Sequence, residues 1–428
     1  MNSKRNRFSR RQFLRSAAAT AGAISLFSIV PRNVLGGPDN TPPSEELTKA
    51  VIGVGGMGQG HLDMPGSRLL AICDVDEEHL RTTLQKVGPG VKGYKDFREV
   101  LERRDIDIIH VVTPPHWHAL ISIAAAQAGK DIWCEKPMTR TIAEGRKVIE
   151  AVQRNKRIFR INTWFRFEDE YYGFGTKIEP IKRLAKGGLL GWPLKVTLNA
   201  STGFDWKLDG WAGQVNPKPQ PVPPELDYDF WLGPAPYKPY HPHRVHQSFR
   251  GYWDYDGGGL GDMGQHYLDP VQYLLDKDAE SPVEIEADTP QQHPDAVRPW
   301  WRVRMKYADG CEIILDAVNK DTSAAFLEGP KGKLFKNFES DIPDIRKKLA
   351  ALPKLDPQLT DFAEAVRSRK KFALNEENGH RSCTIVNLAK AAVKLGRPLR
   401  FDSAKQEFIG DPLANRMIDE PMRAPWHL

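Results

Sequence analysis

From about Lys49 onward, short apolar runs alternate with stretches of helical periodicity. Ala50-Val51-Ile52-Gly53-Val54 is an apolar run that meets a glycine loop, as a buried parallel strand does. Leu69 to Asp74 and Ile106 to Thr113 read as further strands, the latter ended by Pro114-Pro115. His118 to Ala128 reads as a helix stopped by Gly129, and Asp131 to Glu135 as the next strand. Thr141-Ile142-Ala143-Glu144 is a capping box opening another helix, and Arg157 to Asn162 closes the series. Strands alternating with helices over residues 49–163 predict an α/β Rossmann-type domain around a doubly wound parallel sheet.

The rhythm then changes. Residues 200–260 are rich in Trp, Tyr, Pro and Gly, which predicts long ordered loops. Strand-like runs follow at Val283 to Ala287, Trp300 to Tyr307 and Cys311 to Ala317, with hairpin punctuation at Asp309-Gly310. Helical patterns cover Leu359 to Ser368 and Cys383 to Leu395. Residues 164–428 therefore read as an α+β domain with a mostly antiparallel open sheet and a C-terminal arm; no internal repeat is visible.

Charge alters the picture at the N-terminus. The chain of 428 residues carries a formal +6, yet Lys4, Arg5, Arg7, Arg10, Arg11, Arg15 and Arg32 face no acidic residue before Gly36. The remaining body is near neutral, which removes any electrostatic case for nucleic acid or acidic membranes. Ser9-Arg10-Arg11-Gln12-Phe13-Leu14-Arg15 reads as a twin-arginine export signal, with residues 1–36 as the signal segment and 37–48 as a linker. The Ala/Ser-rich stretch from Ser16 to Val30 is too short to span a bilayer comfortably, so a periplasmic protein without a stable membrane span is expected, its signal either cleaved or retained as an anchor. Cys73, Cys134, Cys311 and Cys383 show neither close pairing nor metal-like spacing and read as packing residues.

Three constellations carry chemistry. Gly53-x-Gly55-x-x-Gly58, with Gly56 and Met57 in the same loop, lies between a strand and a helix start, where backbone N–H groups approach a pyrophosphate. Asp74 stands at the end of the second strand, placed to accept the ribose hydroxyls and to repel a 2′-phosphate, which favours NAD over NADP. Glu135-Lys136-Pro137 follows a strand at the carboxyl edge of the sheet, where a lysine can polarise a substrate oxygen. In Gly257-Gly258-Gly259-Leu260-Gly261-Asp262-Met263-Gly264-Gln265-His266, Asp262 and His266 share one helix face, the arrangement of an oriented general base. A zinc pair is the sharper alternative there, but no third ligand is evident and no metal is expected.

These residues, with Val112-Thr113-Pro114, His116 and His118, resemble the Gfo/Idh/MocA oxidoreductases over nearly the whole chain after the signal. The resemblance implies NAD as cofactor, bound through the glycine loop, Asp74, Thr113, Pro114, His118, Glu135 and Lys136. It implies that Lys136 and His266 act on the substrate with Asp262 in the same site, and that the open sheet face serves a homodimer or homotetramer. The substrate is then a small carbohydrate or polyol, and in an exported enzyme the cofactor stays bound and is recycled. A redox-neutral NAD-dependent glycosidase or lyase is the alternative, although the N-acetylgalactosaminidase branch of the resemblance lacks the lysine present here as Lys136. A sugar-binding protein with a locked cofactor is a third reading.

Two features depart from the family pattern. The stretch from Gly58 to Leu69 is short for the first helix of such a fold. Trp164, Arg166 and Tyr172, together with Phe165 and Tyr171, form an aromatic cluster that suits either a sugar face or the core.

Overall fold

The computed structural model describes residues 46–167, 170–171 and 174–428. The segment read as a twin-arginine signal and most of the expected linker lie outside the described residues, as does Tyr172. Among the described residues no helix is long and apolar enough to cross a membrane.

The first sheet contains β1 (Thr48–Ile52), β2 (Arg68–Cys73), β3 (Lys92–Tyr94), β4 (Ile108–Val111), β5 (Asp131–Cys134) and β6 (Phe159–Ile161). Its order is β3-β2-β1-β4-β5-β6 and every pairing is parallel. β1, β4, β5 and β6 are buried at every position, which is why they appear in the sequence as mainly apolar runs, with Lys49, His110, Asp131 and Arg160 as buried exceptions. Strand order reverses between β1 and β4, and that switch opens a crevice at the carboxyl ends of the strands. Local chemistry sets the helix boundaries. The Asp76 carboxylate caps the Glu77–Val87 helix, and the Thr141/Glu144 capping box opens the Ile142–Arg154 helix as read from the sequence.

The second sheet is formed by β7 (Lys195–Leu198), β8 (Glu284–Asp288), β9 (Arg302–Lys306), β10 (Glu312–Asp316), β11 (Leu327–Gly329), β12 (Gly332–Phe335), β13 (Glu339–Ser340), β14 (Leu399–Asp402) and β15 (Glu407–Phe408). It runs β13-β12-β11-β7-β10-β9-β8-β14-β15 and is antiparallel except where β7 lies parallel to β10. Ile285, Val303, Met305, Ile313 and Leu315 face inward, into a core shared with the Gly258–Leu274 helix, and β8 and β9 pack on the Glu376–Leu395 helix. Their alternate neighbours Glu284, Glu286, Arg304 and Lys306 are exposed, the signature of a sheet covered on one face.

The boundary read at residue 163 separates the sheets but not the cores. Phe362, Ala365, Val366, Phe372, Leu374 and Cys383, far along the chain, pack into the core of the first sheet. Cys73, Cys134, Cys311 and Cys383 are buried free thiols, as their packing reading requires.

Candidate active site

A cavity of about 560 Å³ runs from the β1 glycine loop to the start of the Gly258–Leu274 helix. Its size suits an organic ligand. At one end Gly53 has φ +89°, and a Cβ there would lie 2.6 Å from the Val112 carbonyl oxygen, so the turn out of β1 requires glycine. A Cβ on Gly58 would fall 2.1 Å from the Gly53 carbonyl oxygen, which explains the third glycine. Gly55, Gly56 and Met57 line the cavity, and a Cβ on Gly56 would meet nothing within 4 Å. The helix that follows is a single turn, Gly58–His61, so an incoming phosphate meets loop N–H groups rather than a long helix dipole.

Asp74 closes this end. Its Oδ2 accepts from Val54 N at 2.8 Å and its Oδ1 from Asp76 N at 3.0 Å. A carboxylate has about four acceptor positions, so room remains for two ribose hydroxyls. Residues of the long aromatic segment fold over the same end: Glu77 N donates to Glu225 O at 2.9 Å and Asp227 N to Val75 O at 3.1 Å. His246 Nε2 stands 3.5 Å from Asp76, and its ring packs edge-on to His79 with centroids 4.9 Å apart. Asp76, His79 and His246 each offer a potential metal-ligand atom within 4.8 Å of the others, a grouping the sequence did not reveal because 170 residues separate its ends. These residues, the loop glycines and Asp74 fit a dinucleotide lying along the crevice.

The middle of the cavity is held by a buried polar network. Glu135 Oε1 accepts from His61 Nε2 at 2.8 Å and from Asn162 Nδ2 at 2.5 Å, while His61 Nδ1 meets His110 Nδ1 at 2.9 Å. Burial alone would raise this carboxyl, but His61, Lys136 and Asn162 outweigh it and hold it down at about 2. His118 lies behind the cavity wall, with Nδ1 2.7 Å from Pro137 O and Nε2 2.7 Å from Thr113 O. It thus ties the Thr113-Pro114 strand end to the Lys136-Pro137 loop instead of touching a ligand. Gln265 does the same from the far side, accepting from Met138 N at 2.8 Å and donating to Gly379 O and Ser382 Oγ.

At the other end Lys136 and Asp262 meet across the domains. Lys136 Nζ donates to Asp262 Oδ1 at 2.9 Å and to its carbonyl oxygen at 2.6 Å. Arg250 Nε donates to the same Oδ1 at 2.8 Å, its guanidinium lying against Trp211 and Phe249. Burial pushes the Asp262 carboxyl up, yet the charges of Lys136 and Arg250 prevail and keep it ionised well below the usual range. His266 sits one turn along the helix, buried, its ring edge-on to Phe165 at 5.3 Å. Burial, reinforced by the Lys136 charge, pushes this imidazole down to about 3, so it is neutral. It lies behind the residues that form the cavity wall. Asp256, Arg250, Trp211 and Trp231 are on that wall, and none was singled out from the sequence. For Asp256 the available signal was an acidic residue directly before the glycine run.

Of the aromatic cluster, Phe165 and Tyr171 are buried in the core of the second domain, while Tyr172 and the Trp164 side chain lie outside what the structure describes. Arg166 corrects the expectation of a substrate ligand: it is fully buried, bonded bidentately to Asp269 and also to Asp278, with no guanidinium edge left for the cavity. Asp269 is thereby structural as well. Trp164 contributes backbone to a short 3₁₀ turn, Trp164–Arg166, that leads into this ion pair.

Comparison with known proteins agrees with the geometry. Residues 47–163 match the model of the oxidoreductase family's NAD-binding Rossmann fold, and residues 174–428 match that of its C-terminal alpha/beta domain. An inositol 2-dehydrogenase of Salmonella typhimurium (strain LT2) is 29% identical over 170 residues, covering 38% of this chain and 48% of that protein. A D-apiose dehydrogenase of Paraburkholderia graminis is 28% identical, covering 36% and 40%, and a glycosyl hydrolase family 109 protein of Shewanella pealeana 29% identical, covering 35% and 38%. The chain thus matches about half or less of the length of these relatives. In fold it is similar to the WlbA dehydrogenase from Bordetella pertussis in complex with NADH and UDP-GlcNAcA (TM-score 0.57, 15% identity, 83% of this chain and 99% of that one). A levoglucosan dehydrogenase in complex with NADH gives a TM-score of 0.53 at 17% identity, covering 84% and 100%. With both of its domains matched, the chain belongs to the Gfo/Idh/MocA oxidoreductase family.

Proposed function

We propose that the protein oxidises a secondary hydroxyl of a sugar or polyol and keeps its NAD through the catalytic cycle, the bound NADH being reoxidised when a second carbonyl compound takes the hydride and is reduced to its alcohol. The observation that carries this reading is the Lys136–Asp262 contact on the wall of the cavity whose other end is the glycine loop. Bound NAD supplies the hydride acceptor. Lys136 has three donors, two of which are used on Asp262, and the third holds the reacting oxygen. Asp262 stays ionised and fixes the position of the lysine charge. His266, neutral and buried one turn behind the wall, takes the hydroxyl proton in this reading, which requires that substrate binding open the wall to it.

Retention of the cofactor is supported by the seam between residues 75–77 and 225–227 and by His246 over Asp76. Export by the twin-arginine route, supported by Arg10 and Arg11, explains the need: a periplasmic enzyme has no soluble nicotinamide pool. A second copy on the open face of the nine-stranded sheet, beside Glu286 and Arg304, completes the reading.

The test is turnover of purified protein on free sugars and on aryl glycosides, following bound-NADH absorbance and aglycone release together. Lys136→Ala and His266→Ala should each lower turnover by about 10²-fold or more while NAD content and melting temperature hold. Aglycone release without net reduction would refute the reading in favour of a redox-neutral glycosidase. A stable, NAD-loaded His266→Ala protein with normal turnover would remove His266 from the mechanism.

A further inference from the structure

Asp256 immediately precedes the glycine run and lines the cavity beside Asp262 and Lys136, at 2% exposure. The glycines make room for it. A Cβ on Gly261 would stand 2.0 Å from Asp256 Oδ1, and a Cβ on Gly257 would stand 2.7 Å from Cε of the buried Lys390. The run that reads in sequence as a ligand-hugging loop is therefore also a cradle for a carboxyl and a lysine. Oδ1 has no hydrogen-bond partner among the described residues. Burial, then the charge of Asp262, push the Asp256 carboxyl up to about 7, against Arg250, Lys390 and Lys136. An acid confined in this way destabilises the fold, and a buried polar atom left unpaired requires an explanation. Oδ1 is shut in against Gly261, so the oxygen left to face the cavity is Oδ2, and it is there that a partner from the cavity meets the carboxyl.

We propose that Asp256 is a substrate-binding residue, which accepts a hydrogen bond from a second hydroxyl of the ring whose first hydroxyl is held at Lys136. The site then takes polyhydroxylated rings in preference to isolated secondary alcohols. Trp211 and Trp231 on the same wall offer the apolar ring face a partner. The proposal rests on the dehydrogenase reading for its substrate class, but not for its geometry.

The experiment uses the NAD-loaded full chain, with D-glucose and its monodeoxy analogues as probes. Oxidation is read from bound-NADH absorbance and binding from quenching of tryptophan fluorescence. The wild-type protein should reject one deoxy analogue by roughly 10-fold, the scale of one buried hydrogen bond. Asp256→Ala should erase that discrimination while NAD content is unchanged. Asp256→Asn, which preserves volume, should reduce it, and serves as the folded comparison should the alanine variant melt early. Unaltered discrimination in both variants overturns the proposal. Binding that depends on Asp256 without any oxidation would sink the dehydrogenase reading and leave the role of Asp256 standing. Absence of any sugar binding by the wild-type protein overturns both.

Discussion

Asp262 joins two cations, and that asymmetry makes a quantitative prediction. Its Oδ1 receives both Lys136 Nζ and Arg250 Nε, and the Lys136 and Asp262 side chains are 8% and 9% exposed. Asp262→Asn leaves two cations facing a neutral amide in a largely dry site. Breaking a buried ion pair in this way costs about 3–5 kcal/mol, which for a body of this size is a fall in melting temperature of roughly 5 °C. Lys136→Met strands no charge, because Arg250 still neutralises the carboxylate, so its cost should stay below about 2 kcal/mol. The double variant should be more stable than the sum of the two losses, by roughly 1–3 kcal/mol of coupling. Both single variants should nonetheless lose turnover. The sign of the pH dependence follows from the depressed carboxyl. Its stabilising contribution is present above the unfolded value of about 3.9 and is lost as pH falls toward the folded value, so the Asp262→Asn deficit should be full at pH 7 and narrow below about pH 4. Differential scanning calorimetry of the four proteins at both pH values checks this. Equal losses for Asp262→Asn and Lys136→Met, adding without coupling, would show that the pair does not share a buried charge.

Two further outcomes are expected. Asp74→Ala removes the acceptor of Val54 N and Asp76 N and the charge that repels a 2′-phosphate, so NAD affinity should fall roughly tenfold relative to NADP, measured by competitive titration of stripped protein. Replacing Arg10 and Arg11 with Lys should hold the protein in the cytoplasm, as cell fractionation would show; undiminished periplasmic protein would remove the export reading.

Five of the six strands of the first sheet were legible in the sequence because they are largely buried and appear as mainly apolar runs between helical periods; β3, three residues long and exposed at its start, was not singled out. The glycine loop and the acidic end of β2 were legible for a related reason: a tight turn and a close backbone approach demand particular residues at particular spacings, all within one βαβ unit. Strands β11 to β15 were not singled out, being two to four residues long, too short for alternation to register. Nor did the chain announce that residues 362–374 return to the first core, since an apolar residue does not specify which core it fills. The same limit governed the site. Lys136 and Asp262 were each readable from local motifs, but their contact spans 126 residues. The fate of Arg166 was decided by Asp269 and Asp278, more than 100 residues away, because a buried guanidinium must find carboxylates wherever the fold supplies them. Sequence thus determined the elements and the chemical inventory, whose causes are local. Burial and long-range pairing, which only the tertiary structure creates, decided that Asp262 serves two cations, that His118 and Gln265 position loops, and that Asp256 faces the cavity.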